Sequence, residues 1–94
     1  MKNVLITGGS GFLGEQLVNR LYMRVKITVL ARDEGKLLDL KFKYPDINII
    51  TGDVADEYTA QQACNDMDTC FHLAAFKHVG IAQVQPYECY RSNV

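Results

Sequence analysis

The run Val4-Leu5-Ile6-Thr7 breaks at Gly8 into Gly9-Ser10-Gly11-Phe12-Leu13-Gly14 and then into a segment with Leu13, Leu17, Val18 and Leu21 on one helical face. A short apolar strand, a glycine-rich turn and an amphipathic helix in that order restrict the chain to a few folds. The glycines have separate uses. Gly8 allows a sharp turn off the strand, Gly11 lets another molecule approach the backbone closely, and Gly14 lets the helix pack on its strand. Unpaired N–H groups at the helix start, together with the helix dipole, favour a pyrophosphate. Two glycine registers fit. Gly9, Gly11 and Gly14 spell G-x-G-x-x-G, and Gly8, Gly11 and Gly14 spell G-x-x-G-x-x-G. With no Gly-Lys-Ser/Thr ending, a P-loop NTPase is disfavoured.

The rest alternates strand and helix signals. Strands are expected at 3–7, 26–31, 47–51 and 69–75, and helices at 12–22, 34–42 and 56–65. Pro86 suits the first turn of a fourth helix. Such alternation implies an α/β, Rossmann-like three-layer fold, the N-terminal half of a doubly wound parallel sheet in the order 3-2-1-4. Its ligand crevice lies at the C-terminal ends of strands one and four. Residues 1–94 form a single NAD(P)-binding domain in this reading, ending before a fifth strand. The fourth strand, with Cys70-Phe71-His72-Leu73-Ala74-Ala75, would then keep an unpaired edge and favour a homo-oligomer.

The 94 residues, 48% of them hydrophobic, suffice for one small core. A net charge of −1 gives no sign of a nucleic-acid footprint. No apolar stretch reaches the length of a signal h-region or membrane span, so the expected location is cytoplasmic. Cys64, Cys70 and Cys89 form no C-x-x-C pair and read as reduced thiols, and His72 and His78 lack a metal-ligand pattern, so no metal is expected. His72 reads as a structural residue within a strand.

The end of the second strand decides the cofactor. In Val29-Leu30-Ala31-Arg32-Asp33, small Ala31 stands where an acid would accept from the ribose 2′-OH of NAD. Arg32 follows and Lys36 is near. A guanidinium suits a phosphate, so NADP is favoured over NAD. Asp33 could instead serve as a ribose acceptor in an NAD site, or Arg32, Asp33 and Lys36 could simply be a solvated helix start. In Gly52-Asp53-Val54, Asp53 can accept from the adenine amino group with Val54 beside it, or can cap the next helix.

With these residues placed, the chain resembles the extended short-chain dehydrogenase/reductase family. Thr7-Gly8-Gly9-Ser10-Gly11-Phe12-Leu13-Gly14 fits the T-G-x-x-G-x-x-G loop, which selects the Gly8, Gly11, Gly14 register. Gly52-Asp53-Val54-Ala55-Asp56 resembles the acidic adenine-side motif, and His72-Leu73-Ala74-Ala75 the fourth-strand motif whose backbone lines the cofactor. Ala74-Ala75-Phe76-Lys77-His78-Val79, Pro86-Tyr87-Glu88-Cys89 and Ser92-Asn93-Val94 are similar to the UDP-N-acetylglucosamine 4,6-dehydratase branch of polysaccharide-biosynthesis proteins, as is Arg32-Asp33-Glu34. There are departures. Gly80 replaces a usual proline, Val84-Gln85 a usual Tyr-Asn, and Met23-Arg24 lacks a glycine stop.

The resemblance implies a lyase reaction. Hydride leaves C4 of the sugar of UDP-N-acetylglucosamine, water is eliminated across C5–C6, and the hydride returns to C6, with NADP recycled. It implies that Lys77 lies near the cofactor's ribose or pyrophosphate and Asn93 near the active-site floor. It also implies a catalytic Tyr-x-x-x-Lys beyond Val94. The literal match Tyr22 to Lys26 falls between the first helix and second strand, far from the crevice, and is rejected. A related nucleotide-sugar epimerase or reductase, or a non-catalytic nucleotide-binding module, is the competing reading.

Overall fold

The computed structural model describes residues 3–8, 11–53, 55–75 and 82–87. Four parallel strands, β1 (Asn3–Thr7), β2 (Lys26–Ala31), β3 (Asn48–Thr51) and β4 (Thr69–Ala75), are joined through α1 (Phe12–Leu21), α2 (Glu34–Lys43) and α3 (Glu57–Cys64). A further strand, β5 (Ala82–Tyr87), completes a sheet in the order β3-β2-β1-β4-β5.

Alternation along the strands divides the core into two layers, because successive side chains of a strand point to opposite faces. Val4 and Ile6 of β1, with Ile27, Val29 and Ala31 of β2, are buried against Val18 of α1 and Leu37 and Leu40 of α2. Leu5, Leu30 and Cys70 are buried on the opposite face with Ala63 and Cys64 of α3. The order β3-β2-β1-β4 and the helices on both faces are those expected from the sequence.

Two readings are corrected. Pro86 does not open a helix. It lies in β5, antiparallel to β4, opposite Phe71. Proline lacks an N–H and is tolerated in an edge strand, where a ladder bond need not be donated. The same pairing runs from Cys70↔Tyr87 to Ala75↔Ala82, so the β4 edge thought to be unpaired is covered by β5. That edge is therefore not open for pairing with a second copy.

A side-chain cap marks the start of α2. Asp33 caps α2, its Oδ1 accepting from the Lys36 N–H at 3.1 Å. Lys41 Nζ donates to the carbonyls of Pro45 and Ile47 beyond the helix end. α1 ends without glycine, and Met23 adopts φ 69° in its place.

Candidate functional site

The strand register brings four chain segments to one end of the sheet. Thr7, the last residue of β1, is the partner of Leu30 in β2 and of His72 in β4. The Gly8 N–H donates to Leu30 O at 2.8 Å, and the Gly52 N–H donates to Ala31 O at 2.9 Å. The glycine loop, the β2 exit at Arg32, the β3 exit at Asp53 and the last residues of β4 therefore share one rim. Ala74 and Ala75 end β4 beyond the point where β1 has stopped.

Gly8 and Gly11 differ in what they need. Gly8 has φ 73°, a backbone state that L side chains rarely adopt, and a Cβ there would lie 2.8 Å from Leu73 O. The fold itself requires glycine at this position. Gly11 has φ −85° and ψ −174°, open to any residue, and a Cβ there would meet nothing within 4 Å among the described residues. Its missing side chain leaves a clear approach to the start of α1, as a pyrophosphate needs. Gly11 is also the N-cap of α1 and provides no side chain to meet the first-turn N–H groups. The backbone donors of Phe12, Leu13 and Gly14 thus begin the helix without a side-chain cap. Gly14 is buried, whereas the Phe12 side chain is exposed. These features fit a dinucleotide pyrophosphate.

Thr7 is buried, and its Oγ1 lies 2.6 Å from His72 Nδ1, so its hydroxyl is engaged within the fold. His72 is thereby structural, as its strand position suggested. Ala31 packs in the core with Val4, Ile6 and Val18. An acid at position 31 would have to be buried there, so Arg32 is the first exposed side chain after β2. The Arg32 guanidinium is 3.8 Å from Asp53 Oδ2, with the two side chains 79% and 49% exposed. Asp53 Oδ1 accepts from the Ala55 N–H at 2.9 Å, closing an Asx turn ahead of α3. Neither the Thr7–His72 nor the Arg32–Asp53 contact was foreseen from the sequence, since both depend on strand register.

Lys36 lines a shallow cleft between α1 and α2 with Glu15, Asp39, Leu40 and Lys43. Ser10, Val54, Lys77 and Asn93 lie outside the described residues. Tyr22 and Lys26 line a cleft with Asp46 at the opposite end of the sheet, where Lys26 is the register partner of Asn3. Tyr22 Oη also accepts from the Asp46 N–H at 3.2 Å. Their separation from the glycine loop agrees with rejecting them as a catalytic pair.

Residues 4–94 match the family described as polysaccharide biosynthesis protein. The chain belongs to that family. Among its relatives, a UDP-N-acetylglucosamine 4,6-dehydratase (inverting) of Campylobacter jejuni is 39% identical over 98 residues, which cover 99% of this chain and 29% of the relative. A UDP-glucose 4-epimerase of Rickettsia bellii is 32% identical, over 99% of this chain and 30% of its own. The chain thus spans less than a third of the length of these relatives. A Rossmann-fold NAD(P)-binding family protein from Shigella flexneri superposes with a TM-score of 0.70 at 31% identity, covering 82% of this chain and 39% of that one. The fold is therefore that of the Rossmann NAD(P)-binding proteins. No helix among the described residues is long and apolar enough to cross a membrane.

Proposed function

We propose that this chain is the NADP-binding part of a cytoplasmic nucleotide-sugar 4,6-dehydratase acting on UDP-N-acetylglucosamine or a close relative of it. The observation that carries the cofactor reading is Gly11, a glycine that neither its backbone conformation nor packing against the described residues requires. The dehydratase reading is supported by 39% identity to a protein of that activity across nearly the whole chain, against 32% to an epimerase.

In this reading the backbone N–H groups of Phe12, Leu13 and Gly14 hold the pyrophosphate. Arg32 meets the 2′-phosphate, for which its planar fork of donors is suited. Asp53 accepts from the adenine amino group, and the backbone at Ala74 and Ala75 borders the nicotinamide half. Lys77 and Asn93 serve on the sugar side. The bound nicotinamide supplies the hydride chemistry, which no side chain can provide. The proton-transfer residues belong to the part of the protein after Val94, and residues 1–94 form one dinucleotide-binding unit.

Calorimetric titration with NADP⁺ and NAD⁺ tests the cofactor reading. Saturable NADP⁺ binding, stronger than NAD⁺ binding and weakened at least tenfold by Arg32→Ala, is expected; equal binding of both dinucleotides by the unaltered chain refutes the preference. The reaction is tested by incubating the complete protein with UDP-N-acetylglucosamine. A 4-keto-6-deoxy product is expected, and a C4 epimer with intact C6 would favour the epimerase.

A further inference from the structure

Asp53 is placed by three backbone constraints. The Ala31↔Thr51 pairing and the Gly52 N–H bond to Ala31 O bring the β3 exit beside the β2 exit. The Asx turn to Ala55 then fixes the carboxylate, leaving Oδ2 facing Arg32 at 3.8 Å. The guanidinium assigned above to a 2′-phosphate therefore already has an anionic neighbour, held from the backbone. A phosphate monoester carries a charge between about −1.5 and −2 near neutral pH. It would meet both an attraction to Arg32 and a repulsion from Asp53. In NAD the 2′ position carries a neutral hydroxyl, which this pair of charges influences far less.

We propose that Asp53 sets the cofactor preference of this site through Arg32. Its carboxylate competes with the 2′-phosphate of NADP for the guanidinium and holds the selectivity for NADP over NAD below what Arg32 alone would produce. The proposal rests on the reading that Arg32 meets that phosphate. Asp53 acts here as a positioning residue, and this action is separable from any bond to adenine. The adenine is common to both dinucleotides, so losing that bond weakens both together and leaves their ratio unchanged.

The test is the ratio of NADP⁺ to NAD⁺ affinities in the unaltered chain, Asp53→Asn, Arg32→Ala and the double variant, measured by calorimetry at low salt. Asparagine retains an Oδ1 acceptor for the Ala55 N–H, so the turn is preserved while the charge is removed. A thermal melt checks that folding is unchanged. Two unit charges about 4 Å apart in a water-like medium interact by roughly fivefold in an equilibrium constant, so Asp53→Asn should raise the ratio by about three- to tenfold. In the Arg32→Ala background the same substitution should move it by a smaller factor, because only the direct repulsion between Asp53 and the phosphate is then left to remove. An unchanged ratio in Asp53→Asn overturns the proposal and leaves the cofactor reading intact. If Arg32→Ala leaves NADP⁺ binding as it was, the phosphate reading itself fails, and the proposal fails with it.

Discussion

Thr7 Oγ1 and His72 Nδ1 lie 2.6 Å apart, joining register partners on β1 and β4 directly below the glycine loop. The hydroxyl is buried, and Thr7 precedes Gly8, whose backbone packs on Leu73. The bond fastens the two central strands where the chain order of the sheet reverses. Thr7→Val preserves shape and removes the hydroxyl, leaving a partly buried ring nitrogen without this partner. It should cost about 1–2 kcal/mol, read as a lower urea midpoint with an unchanged slope. Thr7→Ser should retain the hydrogen bond and lose less than the valine variant.

Gly8 and Gly11 should separate stability from binding. Gly8→Ala places a Cβ 2.8 Å from Leu73 O at φ 73° and should destabilise the fold by about 1–3 kcal/mol. Gly11→Ala meets no atom of the described residues, and the gain through the unfolded chain is offset by alanine's poorer fit at the N-cap of α1, so stability should change by less than about 1 kcal/mol. Dinucleotide affinity should nevertheless fall more than tenfold in Gly11→Ala. Melting curves and titrations on the two variants check both halves. Full binding by Gly11→Ala would refute the close approach of a ligand at this position.

Met23 follows the C-cap of α1 at φ 69° and is exposed. A left-handed conformation costs a non-glycine residue roughly 1–2 kcal/mol, and glycine is the usual residue at this place after a helix. Met23→Gly should therefore stabilise the fold by about 1 kcal/mol, seen as a raised denaturation midpoint.

Lys43 Nζ donates to Glu15 Oε2 at 2.8 Å, tying the end of α2 to the first turn of α1. That hydrogen bond, and then the charge of Glu15, raise the Lys43 pKa above its ordinary 10.5. The folded state thus holds this proton more tightly than the unfolded one. The stabilisation is fully present below the unfolded value of 10.5 and is lost as pH rises through the higher folded value. Lys43→Gln should melt slightly below the unaltered chain at neutral pH, and the gap should close in strongly alkaline buffer. It should also shrink in high salt, since the pair is exposed to solvent.

Val4, Leu5 and Ile6 announce in the sequence alone that β1 has two buried faces, and the break at Gly8 announces where it ends. These signals are local, carried by side-chain alternation and by the backbone freedom of single residues, so the four parallel strands and three helices were legible. Pro86 shows the limit. Its ring is compatible with a helix start or an edge strand, and only pairing with Phe71 across the sheet selects the strand.

The same division runs through the site. The glycine loop and the basic side chain at 32 are sequence features, set by composition over a few residues. That the Thr7 hydroxyl is engaged by His72, that Ala31 faces the core, and that Asp53 stands against Arg32 are properties of the tertiary structure. Sequence determined which elements form and which faces they bury, because those depend on neighbours within a turn or a strand. Tertiary structure alone decided which side chains meet at the rim, because contacts between residues 21 and 65 positions apart are set by the register of the sheet.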